Sequence, residues 1–211
     1  MFCTVTKENI KMLKSFFYEY KIEIYHDVRW NDYIYKSEDL VNLTGRKFNG
    51  QRNHINYFKK TYPDYAFDDI NCDNVNQVIE FYKSSNLIDS KSGAIFIEEQ
   101  RKTFEVLENY GKYGLLGGAL KINGAVIGFV IGETAGNTLY VHIEKANSHY
   151  RGAYQMLVNE FAKRYASDSD SSNAIEFINR EEDDGDEGLR ISKLSYQPCG
   201  IIEKHTATVN I

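Results

Sequence analysis

The sequence predicts an α/β (α+β) protein, a mixed sheet flanked by helices, and three observations carry that prediction. Leu115 to Lys121, Ala125 to Glu133 and Thr138 to Lys145 are strand-patterned runs joined by Asn123-Gly124 and Ala135-Gly136-Asn137, which is hairpin grammar. Other stretches, such as 49–61 and 94–108, carry apolar residues at helical spacing. Two further runs pass from a strand through a polar turn into a helix, at 138–165 and 174–196.

Taken in order, Val5 to Tyr20 reads as a helix with Thr6 as N-cap and Ile10, Leu13, Phe16, Phe17 and Tyr20 as its buried stripe. Strands follow at Lys21 to Val28 and Asp32 to Tyr35, then a short helix from Ser37 through Leu43. A helix over Asn49 to Thr61 would bury Phe48, Ile55 and Phe58. Tyr65 to Ile70 is a strand, Asp73 or Asn74 caps a helix to Tyr82, and Ala94 to Glu108 is an amphipathic helix with Ile95, Ile97, Phe104 and Leu107 inward. The three hairpin strands lead into a helix to about Tyr165 that turns Met156, Leu157, Phe161 and Ala162 inward. Ser167 to Asn173 is a loop, Ala174 to Ile178 a short buried strand, Gly188 to Tyr196 a helix stopped by Pro198, and Ile201 to Val209 a closing strand. Trp30, Phe129 and Tyr140 read as packing residues.

The 211 residues suffice for one large domain or one and a half smaller ones. A net charge of -5 argues against bulk electrostatic attraction to nucleic acid or anionic membrane, though local patches remain available. Cys3, Cys72 and Cys199 are odd in number and far apart, which predicts reduced thiols and a cytoplasmic location rather than a disulfide framework or zinc site. No metal site is expected: His26, His54, His142, His149 and His205 are scattered, and the acidic run lacks the spaced oxygen ligands of a calcium loop. No run reaches the ~20 apolar residues of a membrane span.

The densest chemistry lies in INREEDDGDEGLRISKLSYQP, Ile178 to Pro198. It brings Asn179 and Arg180, the acids Glu181, Glu182, Asp183, Asp184, Asp186 and Glu187, then Arg190, Lys193 and Tyr196, into one corner. Acids before a helix start oppose its positive end, and Arg190 and Lys193 share a face. The stretch reads as a reactive site or as a solvated acidic loop capping a surface helix. Thr44 to Tyr62 is the most basic segment; Arg46, Lys47, Arg52, Lys59 and Lys60 form either a solvated helix face or an anion patch.

The element order from Asp73 resembles the GCN5-related N-acyltransferase fold, in which a loop at a helix N-terminus offers backbone N–H groups to a pyrophosphate. Arg151-Gly152-Ala153 sits where that loop would be, with one glycine of the usual pattern. Several blocks together, DYIY at 32–35, GRKF at 45–48, QRNHINYF at 51–58, YRGAYQ at 150–155 and the 178–198 stretch, resemble the C-terminal catalytic domain of phosphatidylglycerol lysyltransferase and its soluble relatives. The resemblance implies two tandem acyltransferase-like lobes: an incomplete one at 1–70, to be completed by a truncation's missing part or by a homo-oligomer, and a complete one at 71–211.

It also implies acyl transfer, with aminoacyl-tRNA as the expected donor and an amine or hydroxyl as acceptor; lipid aminoacylation does not follow from the resemblance, and a lipid headgroup stands only as an alternative acceptor. On that basis Glu181 or Asp183 is the expected base, Lys193 or Tyr196 the proton donor or oxyanion partner, and Arg190 the anion clamp, with Asn179 and Arg180 beside them. Arg52, Asn53, Lys59 and Lys60 would hold carrier phosphates between the lobes, helped by Arg151, Gly152 and Ala153. The rivals are an acetyl-coenzyme A-dependent acetyltransferase, a non-catalytic tRNA- or protein-binding remnant, and an inter-lobe salt-bridge network in which the acids neutralise Arg52 and Arg190.

Overall fold

The computed structural model describes residues 1–84, 94–167 and 174–210. Its strands are β1 Phe2–Val5, β2 Lys21–His26, β3 Asp32–Lys36, β4 Tyr65–Asp69, β5 Leu116–Ile122, β6 Ala125–Ala135, β7 Thr138–Ala146, β8 Phe177–Asn179, β9 Gly200–Ile202 and β10 His205–Asn210. Its helices are α1 Lys7–Phe16, α2 Ser37–Asn42, α3 Asn49–Thr61, α4 Val75–Ser84, α5 Ala94–Glu108, α6 Tyr110–Tyr113, α7 Ala153–Ala166 and α8 Glu187–Ser195. The mixed α/β class expected from the sequence is present. The chain gathers into two compact units, Lys36–Ile178 and Met1–Tyr35 with Asn179–Ile211.

In the unit Lys36–Ile178 the strands follow the order β4-β5-β6-β7-β8, and β4 to β7 are successively antiparallel. Asn123 and Gly124, at φ 50° and 81°, form the two-residue turn between β5 and β6, as that dipeptide favours. Strand β6 is buried from Ile127 to Gly132 because helices cover both its faces. Phe129 and Ile131 pack with Val78, Ile79, Tyr82, Leu107 and Tyr110 of α4 to α6. The alternate residues, Gly128 and Gly132, leave room for Leu157 and Phe161 of α7. A buried Asn159 ties α7 to α2 by donating from Nδ2 to Leu40 O and Val41 O, 2.8 and 2.9 Å.

The unit formed by Met1–Tyr35 and Asn179–Ile211 holds an antiparallel sheet in the order β1-β10-β2 and the antiparallel pair β3–β9. Thr6 caps α1 by accepting from Asn9 N at 3.3 Å. The expected buried stripe of α1 is a correction: Ile10 is buried, but Phe16 is 77% exposed and Tyr20 43%. The expected closing strand is also interrupted, since Glu203 and Lys204 separate β9 from β10, and each piece pairs with a different strand. On α5, Ile97 faces solvent, while Phe104 is half-buried and Leu107 buried. The side chain of Ile95 and residues 168–173 of the expected loop lie outside the described residues.

Candidate active site

The 179–198 stretch folds onto β3 through backbone bonds. Tyr33 N donates to Glu181 O at 3.2 Å and Arg180 N to Tyr33 O at 3.1 Å. The acidic run then reverses direction, with Glu181, Asp184 and Gly185 at φ 54°, 46° and 81°. Two non-glycine residues in the left-handed region cost of order 1–3 kcal/mol each and persist only where surrounding bonds fix them. Those bonds are present. Glu181 N donates to Asn179 Oδ1 at 2.7 Å, Gly185 N to Asp183 Oδ1 at 2.9 Å, and Asp184 N to Arg29 O at 3.2 Å. Asp186 caps α8 by accepting from Leu189 N at 2.8 Å, and Glu187 lies in the first turn, so the acids oppose the helix dipole as expected.

Five of the expected residues, Asn179, Arg180, Asp183, Lys193 and Tyr196, are buried in one polar cluster with the part-exposed Arg190. The Lys193 side chain, 5% exposed, donates to the carbonyls of Arg180, Glu181 and Glu182, so its ammonium ties down the strained turn. Arg180, also buried, lies over the Tyr196 ring at 4.9 Å and the Tyr35 ring at 5.9 Å. Tyr196 is 2% exposed beneath it.

Asp183 is fully buried and accepts from Arg190 Nε and Nη2, both at 2.8 Å, from Tyr33 Oη at 2.6 Å, and from Gly185 N. Burial alone would raise its carboxyl, but Arg190 and Tyr33 outweigh that and hold it below the usual aspartate value. A carboxylate so fully bonded is a poor proton acceptor. The Asp183–Arg190 pair instead fixes the turn to α8.

Beside it, Lys204 bridges Asp32 Oδ1 at 2.7 Å and Glu182 Oε2 at 2.6 Å, and Asn179 Nδ2 donates to Asp32 Oδ2 at 3.0 Å. Burial raises the Asp32 carboxyl despite Lys204, whereas for Glu182 the Lys204 bond overcomes burial and lowers it. Glu181 is the half-buried carboxylate at the strained turn. Sequence reasoning missed Tyr33, Tyr35, Asp32 and Lys204 as members of this cluster. The signal available was alternation in DYIYK, which sends Tyr33 and Tyr35 to one face of β3.

The remaining expected residues belong to the unit Lys36–Ile178. Arg52 donates to Leu43 O, to Gly45 O at 2.7 Å and to Asn49 Oδ1, closing the loop before α3. Those bonds tie its guanidinium to the segment from Leu43 to Asn49. Lys59 lies 3.7 Å from Glu160. Asn53, Tyr57 and Lys60 are exposed on one face of α3 at i, i+4 and i+7, and Arg151 stacks over the Tyr57 ring at 4.6 Å. Gly152, at φ 91°, is required by packing, since a Cβ there would lie 2.5 Å from His54 O. Ala153 is the buried first residue of α7. The histidines are not all scattered, because β10 brings His205 opposite His26 on β2.

Uncharacterized protein MYCGA3080 of Mycoplasmoides gallisepticum is 28% identical over 194 residues, 90% of this chain and 60% of that protein. The chain therefore spans less than two thirds of that curated relative. A crystal structure of a conserved protein of unknown function from Bacteroides thetaiotaomicron matches at TM-score 0.85 and 38% identity, over 99% of this chain and 69% of that one. The structure of L-PGS from Bacillus licheniformis shares the fold at TM-score 0.65 and 12% identity, over 98% of this chain and 66% of that one. Among the described residues no helix is long and apolar enough to cross a membrane. The model of the phosphatidylglycerol lysyltransferase C-terminal family matches residues 1–208, and the chain belongs to that family.

Proposed function

We propose that the protein is an acyltransferase that passes an aminoacyl group from aminoacyl-tRNA to an amine, hydroxyl compound or lipid headgroup. The observation that carries this reading is the family match over residues 1–208. The acceptor's nitrogen or oxygen attacks the ester carbonyl, the acceptor loses its proton to a base, and the tRNA 3′-hydroxyl leaves. Glu181 is the base, a half-buried carboxylate at a left-handed turn that Lys193, Tyr33 and Asn179 hold in place. Arg190, with a side chain 38% exposed, is the cation that meets the developing oxyanion or a carrier phosphate. Lys193 and Tyr196, both buried, position Glu181 and Arg180 rather than touch substrate.

The carrier surface is the exposed face of Asn53, Tyr57 and Lys60 with Arg151, which joins cations to an aromatic ring on which an unpaired base can stack. The test uses tRNA charged with labelled lysine or alanine, offered with small amines and with phosphatidylglycerol vesicles. Label transferred to an acceptor by the wild type and lost in Glu181→Gln supports the reading. No transfer from any charged tRNA, with acceptor acetylation by acetyl-coenzyme A instead, overturns it.

A further inference from the structure

We propose that His26, His205 and Glu203 form a binding site for a divalent first-row transition metal, with zinc as the favoured ion. In the β10–β2 ladder His205 is directly opposite His26, so both imidazoles project from the same face of the sheet. Their ring centroids are 4.7 Å apart with planes inclined by 30°. Glu203 stands two residues before His205, at the break between β9 and β10, with its Oε2 3.9 Å from His205 Nε2. One ligand atom from each of the three side chains lies within 4.8 Å of the other two.

Two features of the rings fit metal binding. Nε2 of His26 lies 2.9 Å from Asn31 Oδ1. An amide oxygen can only accept, so the ring donates from Nε2 and keeps its lone pair on Nδ1. A metal-bound histidine is oriented in this way by its second nitrogen. His205 is 8% exposed, and its Nδ1 is buried without a hydrogen-bond partner. A buried imidazole nitrogen left without a partner is costly in a finished core and ordinary in a ligand site.

Two histidines and a carboxylate suit zinc and its neighbours rather than calcium or magnesium, and leave room for water. Tetrahedral zinc holds ligand atoms about 3.3 Å apart. Glu203, with a side chain 35% exposed, closes the remaining distance by rotation. Lys7 lies 2.8 Å from Glu203 Oε2, and with its side chain 69% exposed it can swing away as a cation enters. The ion would tie β2 to the start of β10 across the break at Glu203-Lys204.

The experiment titrates zinc into the metal-depleted full chain by calorimetry with a competing chelator, and cobalt by visible absorption. We expect one equivalent bound, a rise in Tm, and the intense d–d bands of four-coordinate cobalt. His26→Gln and Glu203→Gln, neither of them at a fully buried side chain, should weaken binding by at least about tenfold. His142→Gln, which breaks a separate histidine–glutamate pair at 3.2 Å from Glu133, should bind as the wild type does. No saturable binding up to millimolar zinc, or equal affinity in wild type and His26→Gln with folding shown by circular dichroism, overturns the site.

Discussion

Arg190 and Asp183 meet through two hydrogen bonds, Nε to Oδ2 and Nη2 to Oδ1, both 2.8 Å, and Tyr33 completes the carboxylate's coordination from β3. The pair fastens the acidic turn to α8 at one end and to β3 at the other. Asp183 is fully buried while the Arg190 side chain is 38% exposed, so removing the carboxylate loses its charge-assisted bonds without stranding a buried charge, at a cost of about 1.5–3 kcal/mol. Asp183→Asn should therefore lower the unfolding free energy by about that amount, measured by urea denaturation. A loss below about 0.5 kcal/mol would show that the pair does not hold the turn.

The same carboxylate gives that loss a pH dependence. Asp183 is held below its usual value in the fold, burial being outweighed by Arg190 and Tyr33, so the unfolded chain binds its proton first as pH falls. Its stabilisation is complete above the unfolded pKa of about 3.9 and is lost as pH drops through the folded value. Glu182 and Asp27 follow the same sign, the latter lowered to about 2 by its bonds from Arg29, while Asp32, raised by burial, opposes them just above the unfolded value. The stability gap between wild type and Asp183→Asn should be constant from about pH 5 to 7 and shrink below about pH 4. A gap that widens on acidification would reverse the assigned sign.

Gly152 separates packing from phosphate binding. Its φ of 91° is strained for any other residue, and a Cβ would meet His54 O at 2.5 Å and Phe58 Cβ at 3.1 Å. Overpacking and left-handed strain each cost about 1–3 kcal/mol. Gly152→Ala should lower Tm markedly in the absence of any ligand. An unchanged Tm with weakened coenzyme A binding would mean that the glycine serves a phosphate cradle.

The class of the fold was legible because its signals are local. The Asn123-Gly124 turn, the Thr6 cap and the 49–61 helix each depend on a few neighbouring residues, and each stands where the pattern put it. What was illegible required distant partners. Phe16 looks like core from helical spacing, yet spacing carries no information on what faces the stripe. Arg52 reads as a phosphate ligand from its basic neighbourhood, while its bonds to Leu43 O and Gly45 O belong to a loop closure that spacing does not reveal. Tyr33 joins Asp183 across 150 residues of sequence, and His26 meets His205 through a ladder that no sequence window contains.

The α3 surface gives a prediction that depends on the carrier being nucleic acid. Arg151 stacks over Tyr57 and Lys60 follows three residues on along the same exposed face of α3, and deleting a cation that neutralises one phosphate should reduce the slope of log K against log salt by about 1. Lys60→Ala and Arg151→Ala should each do so in tRNA anisotropy titrations, and Tyr57→Ala should weaken binding with little change in slope. Arg52→Met should leave the slope unchanged and lower stability instead, because its donors close the loop at Leu43 and Gly45. Equal slopes in all four variants would remove tRNA from this face.

Glu181 and Asp183 are two residues apart, yet the fold gives them opposite assignments. Asp183 is fully buried and bonded by two side chains, while Glu181 is half-buried at a left-handed turn whose backbone Lys193, Tyr33 and Asn179 all hold. Strain sustained by so many bonds at one polar residue is the mark of a side chain held in place for use. Glu181→Gln should therefore lower kcat/KM for aminoacyl transfer by about 10²- to 10⁴-fold, the range for losing a general base, with stability unchanged within about 0.5 kcal/mol. A merely structural role would not respond to small carboxylic acids, so Glu181→Ala should recover part of its rate in added formate. If Asp183→Asn, corrected for its folded fraction, loses as much rate as Glu181→Gln and Glu181→Ala is not rescued, the base is not Glu181.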